Sequence, residues 1–172
     1  MPIIKDVERY SEILSKSSTF SSFEEDELQE LIQHCERKIL APRESLWAVG
    51  AKGDAAFILI EGRVEQTKRL PPDGQRVEHF SQPGTILGLS YLVQGWNHQS
   101  AASVAERSEF LRLSKSRFQE MFDAQESASF HLVDHIAENL VAEMRDANRR
   151  LHEVFGNPAE TLRTLRRRVR TI

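Results

Sequence analysis

The sequence predicts an α+β fold in which helices flank a β-rich middle, and three observations carry that expectation. Apolar residues recur at helical spacing before about residue 42. Between about residues 43 and 113 the rhythm changes to short runs punctuated by Gly50, Gly53, Gly62, Gly74, Gly84, Gly88 and Gly95. A single long helical pattern then runs to Phe155. With 172 residues, 40% of them hydrophobic, the chain is long enough for one compact core and a modest extension.

Residues 1–42 read as N-terminal helices. Val7, Tyr10 and Leu14 line one face, and Leu28, Leu31, Ile32 and Cys35 line another, behind a capping box expected from Ser22 and Glu25. Residues 43–113 read as strands. AAFILIEGRVEQTKRL and QRVEHFS flank the turn PPDG at 71–74, where Asp-Gly supplies the positive φ that a tight hairpin needs. SAASVA at 100–105 and EFLRL at 109–113 add two more strands. Helical periodicity returns after Ser114, an expected N-cap, and residues 114–155 read as C-terminal helices.

The last of these is expected from about Ser127 to Phe155. Along it Val133, Ala137, Leu140, Met144, Ala147, Leu151 and Val154 alternate spacings of four and three, a heptad seam that Phe130 extends upstream. A stripe this narrow fits another helix better than it fits a domain core. Nothing else in the chain matches its length, so a second copy of the same helix is the expected partner, in a homodimer. Gly156 stops the pattern, and Asn157, Pro158 and Glu160 supply helix-start signals for a basic amphipathic tail over 156–172.

Charge sets this tail apart. From Gly156 onward five arginines (163, 166, 167, 168 and 170) face one acid, Glu160, a net of +4, while the rest of the chain carries −7. No apolar run approaches the roughly 20 residues that span a bilayer, and MPIIKDVERYSEIL is too charged for a secretory signal, so a cytoplasmic protein without a transmembrane segment is expected. The single cysteine, Cys35, excludes an internal disulfide and reads as a small core residue.

The order of these features resembles the cyclic nucleotide-binding domain of the catabolite activator protein and its bacterial relatives, over roughly residues 20–155. GAKGDAAFILIEGRVE is similar to the family's G-x-x-G-D-x-x-[FY]-x-[IV]-x-x-G-x-[VA]. The hairpin at PPDG, PGTILG at 83–88 and FLRLSKSRFQEMF follow in the family's order. The resemblance implies an eight-stranded β-roll, a double-stranded β-helix akin to a jelly roll, with a phosphate-binding loop at 84–101 and a long dimerisation helix. It also implies where a ligand sits. In the family the loop reads G-E followed ten residues later by R-[ST]-A, the acid accepting from the ribose and the arginine gripping the cyclic phosphate.

Gly88 matches the family glycine, and Ser90 lies in the short helix that follows it. Leu89 stands where the acid belongs, Gln99 where the arginine belongs, and Ser100 and Ala101 close the loop. Leucine accepts no hydrogen bond, and glutamine offers neutral bonds in place of an ion pair. Together the changes forfeit about 3–5 kcal/mol, or about two to four decades of affinity. Losing both charges at once leaves neither stranded. The hydroxyl-bearing residues that contact adenine from the family's long helix are missing as well: Glu143, Met144 and Arg145 occupy the corresponding turn.

No nucleophile elbow, Walker loop, kinase signature or zinc-hydrolase motif is present, so catalysis is not expected. His131, His135 and Glu138 share a helical face but read as solvated residues, and no metal is expected. Trp96 either stacks on a ligand or fills the loop. The catabolite activator family continues from the long helix into a helix-turn-helix domain, for which the residues after Gly156 leave no room, so sequence-specific DNA binding is not expected. The tail residues Arg163, Arg166, Arg167 and Arg170 are the expected contact with an acidic protein partner, nucleic-acid phosphates or an anionic membrane surface. The expected function is thus a non-enzymatic cyclic nucleotide-binding-like regulatory module with weak or lost cAMP binding and no cofactor, its pocket left to a cyclic nucleotide, to another, less polar small ligand or to none. The alternatives are a ligand-free scaffold and a truncated transcription regulator that forms mixed dimers with longer relatives.

Overall fold

The computed structural model describes residue 4 and residues 6–70, 74–93 and 95–156. The hairpin residues 71–73 and the tail arginines Arg163, Arg166, Arg167 and Arg170 lie outside the described residues. Two compact units divide at residue 134.

The first unit opens with α1 (Val7–Ser15) and α2 (Glu25–Gln33). Eight strands follow among the described residues: β1 (Glu36–Leu40), β2 (Ser45–Trp47), β3 (Ala55–Glu61), β4 (Val64–Leu70), β5 (Gly74–Phe80), β6 (Ile86–Leu87), β7 (Ser100–Val104) and β8 (Ser108–Ser114). They form two antiparallel four-stranded sheets, in the orders β1-β8-β3-β6 and β2-β7-β4-β5. Then comes α3 (Lys115–Asp123), capped as expected by Ser114, whose Oγ accepts from the Arg117 amide at 3.3 Å. The α+β class and its β-roll are as the sequence predicts.

Both sheets contribute to one core. Leu40, Leu46, Trp47, Ala55, Phe57, Leu59, Val64, Leu87, Ala102, Val104 and Phe110 pack together within it. β3 is buried on both faces because AAFILI is continuously apolar: Ala55, Phe57 and Leu59 enter that core, and Ala56, Ile58 and Ile60 are buried on the other side of the strand. α1 packs against β3 and is tied to the sheet by a buried acid. Glu109, 3% exposed, accepts from Tyr10 Oη at 2.6 Å, Arg37 Nε at 2.6 Å and Arg9 Nη2 at 3.3 Å. Burial pushes its pKa up, but the bonds from Tyr10, Arg37 and Arg9 outweigh this and hold it at about 2.

Three boundaries differ from the sequence expectation. β1 lies inside the segment 1–42 read as helical, because ERKIL alternates too weakly to signal a strand: Leu40 alone in it is buried. α2 starts two residues later than the Ser22 cap predicts, with the Glu24 amide donating to Glu27 Oε2 at 2.8 Å. Cys35 follows the end of that helix, and its burial pushes the thiol up to about 12.

The last helix, α4 (Ser127–Phe155), has the predicted bounds and crosses into the second unit. In its first turns Ala128, Ser129 and Leu132 are buried. The seam residues lie elsewhere on the helix surface: Val133 and Leu140 are half-buried, Ala137 and Ala147 exposed, Met144 65% and Leu151 54% exposed, and Val154 sits in the final turn. Among the described residues no helix is long and apolar enough to cross a membrane.

Candidate functional site

The loop between β6 and β7 joins the edge of one sheet to the interior of the other. β6 pairs Leu87 with Phe57, and β7 begins where Ser100 pairs with Lys68. Gly88 turns the chain at φ +73°, a left-handed conformation that favours glycine, and the 3₁₀ turn Leu89–Leu92 follows. Leu89 and Leu92 are buried and Ser90 is half-buried. Leu89 therefore places an apolar side chain in the protein interior, where an acid would need a hydrogen-bonding partner.

Beyond the turn the chain is fastened to residues 50–53. His98 N donates to the Ala51 carbonyl and Gly50 N to the His98 carbonyl, both at 2.8 Å, and Gly53 N donates to the Trp96 carbonyl at 3.2 Å. Asn97 forms an isolated bridge with Lys52. Gly53 permits this closeness, since a Cβ there would fall 2.3 Å from a ring carbon of Tyr91. The Trp96 side chain is 68% exposed.

Gln99 does not point inward. Its side chain is exposed and donates through Nε2 to the Asn97 carbonyl at 3.2 Å. Its two neighbours are buried instead: Ser100 Oγ accepts from Gln66 Nε2 at 2.7 Å, and His98 is only 3% exposed. Ala101 is half-buried. His98 is not among the residues the family motif marks, although the sequence carries a signal for it. Extending the alternation of β7 backward puts His98, Ser100, Ala102 and Val104 on the buried side and Gln99 on the other.

His98 belongs to an aromatic group. Its imidazole stacks on Trp47, with centroids 4.5 Å apart and planes 13° apart, and it touches Tyr91 at 4.1 Å and 52°. Trp47 in turn packs on Phe57. Burial lowers the pKa of His98, partly opposed by the charge of Asp54, so the neutral ring is favoured. Two polar atoms of the stack, Trp47 Nε1 and His98 Nδ1, are buried without a hydrogen-bond partner among the described residues. Each such atom costs about 1–3 kcal/mol.

From Gly88 to Ala101 the sequence holds no Asp, Glu, Lys or Arg. The charged groups nearby line an open cleft of about 670 Å³ that borders the loop at Gly53 and Gly95 and includes Glu36, Lys52, Asp54, Arg112 and Lys115, whose Nζ donates to the Val93 carbonyl at 3.1 Å. There Arg112 is paired with Glu36 at 3.2 Å and Asp54 at 3.5 Å. The loop can stack, exclude water and offer neutral hydrogen bonds. Of the histidines on α4, His131 approaches Glu27 at 3.3 Å and His135 approaches Glu138 at 3.5 Å, and the described residues hold no metal-ligating group of three.

A family model, the cyclic nucleotide-binding domain, matches residues 37–125. Among solved structures, the catabolite activator protein of Thermus thermophilus is similar at 20% identity and a TM-score of 0.65, covering 78% of this chain, which spans 62% of that protein. A cyclic nucleotide-binding domain from Methylobacillus flagellatus matches at 19% identity and a TM-score of 0.69, over 84% of this chain and 81% of its own. The regulatory subunit of a cAMP-independent protein kinase A from Trypanosoma brucei matches at 15% identity and a TM-score of 0.65, over 77% of this chain and 46% of its own. No curated protein matches in sequence.

Proposed function

The chain belongs to the cyclic nucleotide-binding domain family, and from that premise we propose that it is a non-enzymatic regulatory module, homodimeric through α4, that acts on a protein partner with its cAMP binding weakened or lost. The observation that carries this reading is the neutral loop. A cyclic phosphate needs a cation or several aimed donors to replace its water. Here the residue at the acid's position is buried leucine, and the amide at the arginine's position is turned outward onto Asn97. The exposed seam of Ala137, Met144, Ala147 and Leu151 supports the dimer, since a row of apolar side chains on a solvated helix gains most by pairing with its own copy. In this reading the arginines at 163, 166, 167 and 170 meet the partner, and the state of the loop is relayed to them through α4.

Calorimetry with cAMP and cGMP tests the reading on the wild type and on the double substitution Leu89→Glu, Gln99→Arg. The wild type is expected to bind no tighter than about millimolar and the double variant about 100-fold or more tighter, in line with two restored charge-assisted contacts. Micromolar binding by the wild type would sink it. A second reading, a ligand-free scaffold, is favoured by the rings that fill the loop around His98. It predicts that neither protein binds any cyclic nucleotide.

A further inference from the structure

His98 is held by its backbone and leaves its ring uncommitted at Nδ1. The amide and carbonyl of this residue are both bonded to the segment 50–51, which delivers the imidazole to Trp47 and Tyr91. Within that stack Nδ1 finds no partner among the described residues, and neither does Nε1 of the tryptophan it covers. Buried polar atoms are rarely left so, and two on touching rings point to a site whose natural occupant makes bonds that the present one does not.

The fold thus supplies to itself a small, planar nitrogen heterocycle. We propose that His98 is an intramolecular plug, and that the aromatic slot walled by Trp47 and Tyr91 is a binding site for an uncharged, planar nitrogen heterocycle that displaces it. Stacking selects a flat ring. The free indole N–H selects one with an acceptor atom at its edge. Burial among Trp47 and His98, 7% and 3% exposed, disfavours a charged occupant and outweighs the opposing pull of Asp54 on the His98 ring. Tyr91 is half-buried, so the slot borders solvent on its side, and displacement requires one side chain to swing while its backbone stays bonded. This inference rests on the loop being a ligand site that has lost its ionic grip. The two fail separately, because cAMP calorimetry on the wild type tests that reading and does not involve the slot.

The test is chemical rescue of the full chain with imidazole, at pH 8 where imidazole is neutral and at matched ionic strength. In His98→Ala, imidazole is expected to raise Tm and change tryptophan fluorescence saturably, with an apparent Kd at least about tenfold lower than in the wild type, where the tethered ring competes. His98→Phe, which fills the slot with a ring that cannot be displaced as readily, is expected not to respond. A folded His98→Ala that ignores imidazole overturns the proposal, as does an equal response in all three proteins. If His98→Ala does not fold alone, recovery of its native circular dichroism with imidazole supports the plug, and failure to recover overturns it.

Discussion

Glu109 shows how much one side chain can hold in place. It carries a charge at 3% exposure, which is costly unless every partner is present, and Tyr10, Arg37 and Arg9 together supply them. The folded pKa of about 2 lies below the ordinary 4.5, so the charged form is the one that the fold favours. The stabilisation is therefore complete above about pH 4.5 and is lost as pH falls toward about 2. The shift corresponds to about 3 kcal/mol. Urea denaturation at pH 7 and pH 3 is expected to show Glu109→Gln destabilised by about 3 kcal/mol at pH 7, with a smaller difference from the wild type at pH 3. A constant difference across that range would mean that the carboxylate's charge is not what anchors α1. Cys35 makes a simpler case. Burial holds its thiol near 12, so thiol reagents are expected to label it only on unfolding, as a kinetic assay with an aromatic disulfide would report.

At the scale of elements, α4 was legible and the loop was not, for different physical reasons. A heptad pattern declares itself over many turns, so the helix bounds from Ser127 to Phe155 could be read directly. The Ser114 cap and the hairpin strands rest on equally local chemistry. β1 did not declare itself, because its buried side comes to one residue, Leu40, and its pairing with β8 is long-range. In the loop a count from Gly88 puts Gln99 at the arginine's position, but the direction of a side chain near a strand depends on register, and a one-residue difference moves it to the other face. His98 is buried for that reason. The seam itself yields a prediction at this scale. Met144→Glu with Leu151→Glu would set like charges against each other across a two-fold axis. Light scattering is expected to give twice 19.7 kDa for the wild type and the single-chain mass for the variant, with helical circular dichroism little changed. A wild type that is monomeric at micromolar concentration removes the homodimer.

At the scale of the whole molecule the question is whether occupancy of the roll changes the stability of anything, and linkage makes the answer quantitative. A ligand held only by the native state stabilises it by RT ln(1 + [L]/Kd). For 1 mM cAMP, a micromolar site contributes about 4 kcal/mol and a millimolar site about 0.4 kcal/mol. In a chain of this size each kcal/mol moves Tm by about 2–4 °C, so the two cases differ as about 8 °C or more against about 1 °C. The neutral loop, with Leu89 buried and Gln99 turned outward, predicts the smaller shift for cAMP and cGMP. A panel of cyclic mono- and dinucleotides at 1 mM extends the comparison, and no member that relies on a phosphate grip is expected to exceed about 2 °C. A larger shift for any of them would mean that the molecule recruits a cation from outside the loop, and regulation would then run through an anion after all. If none moves Tm but imidazole rescues His98→Ala, the roll has kept a ligand site and changed its chemistry. If both fail, the fold serves through its surfaces alone, the seam of α4 foremost among them.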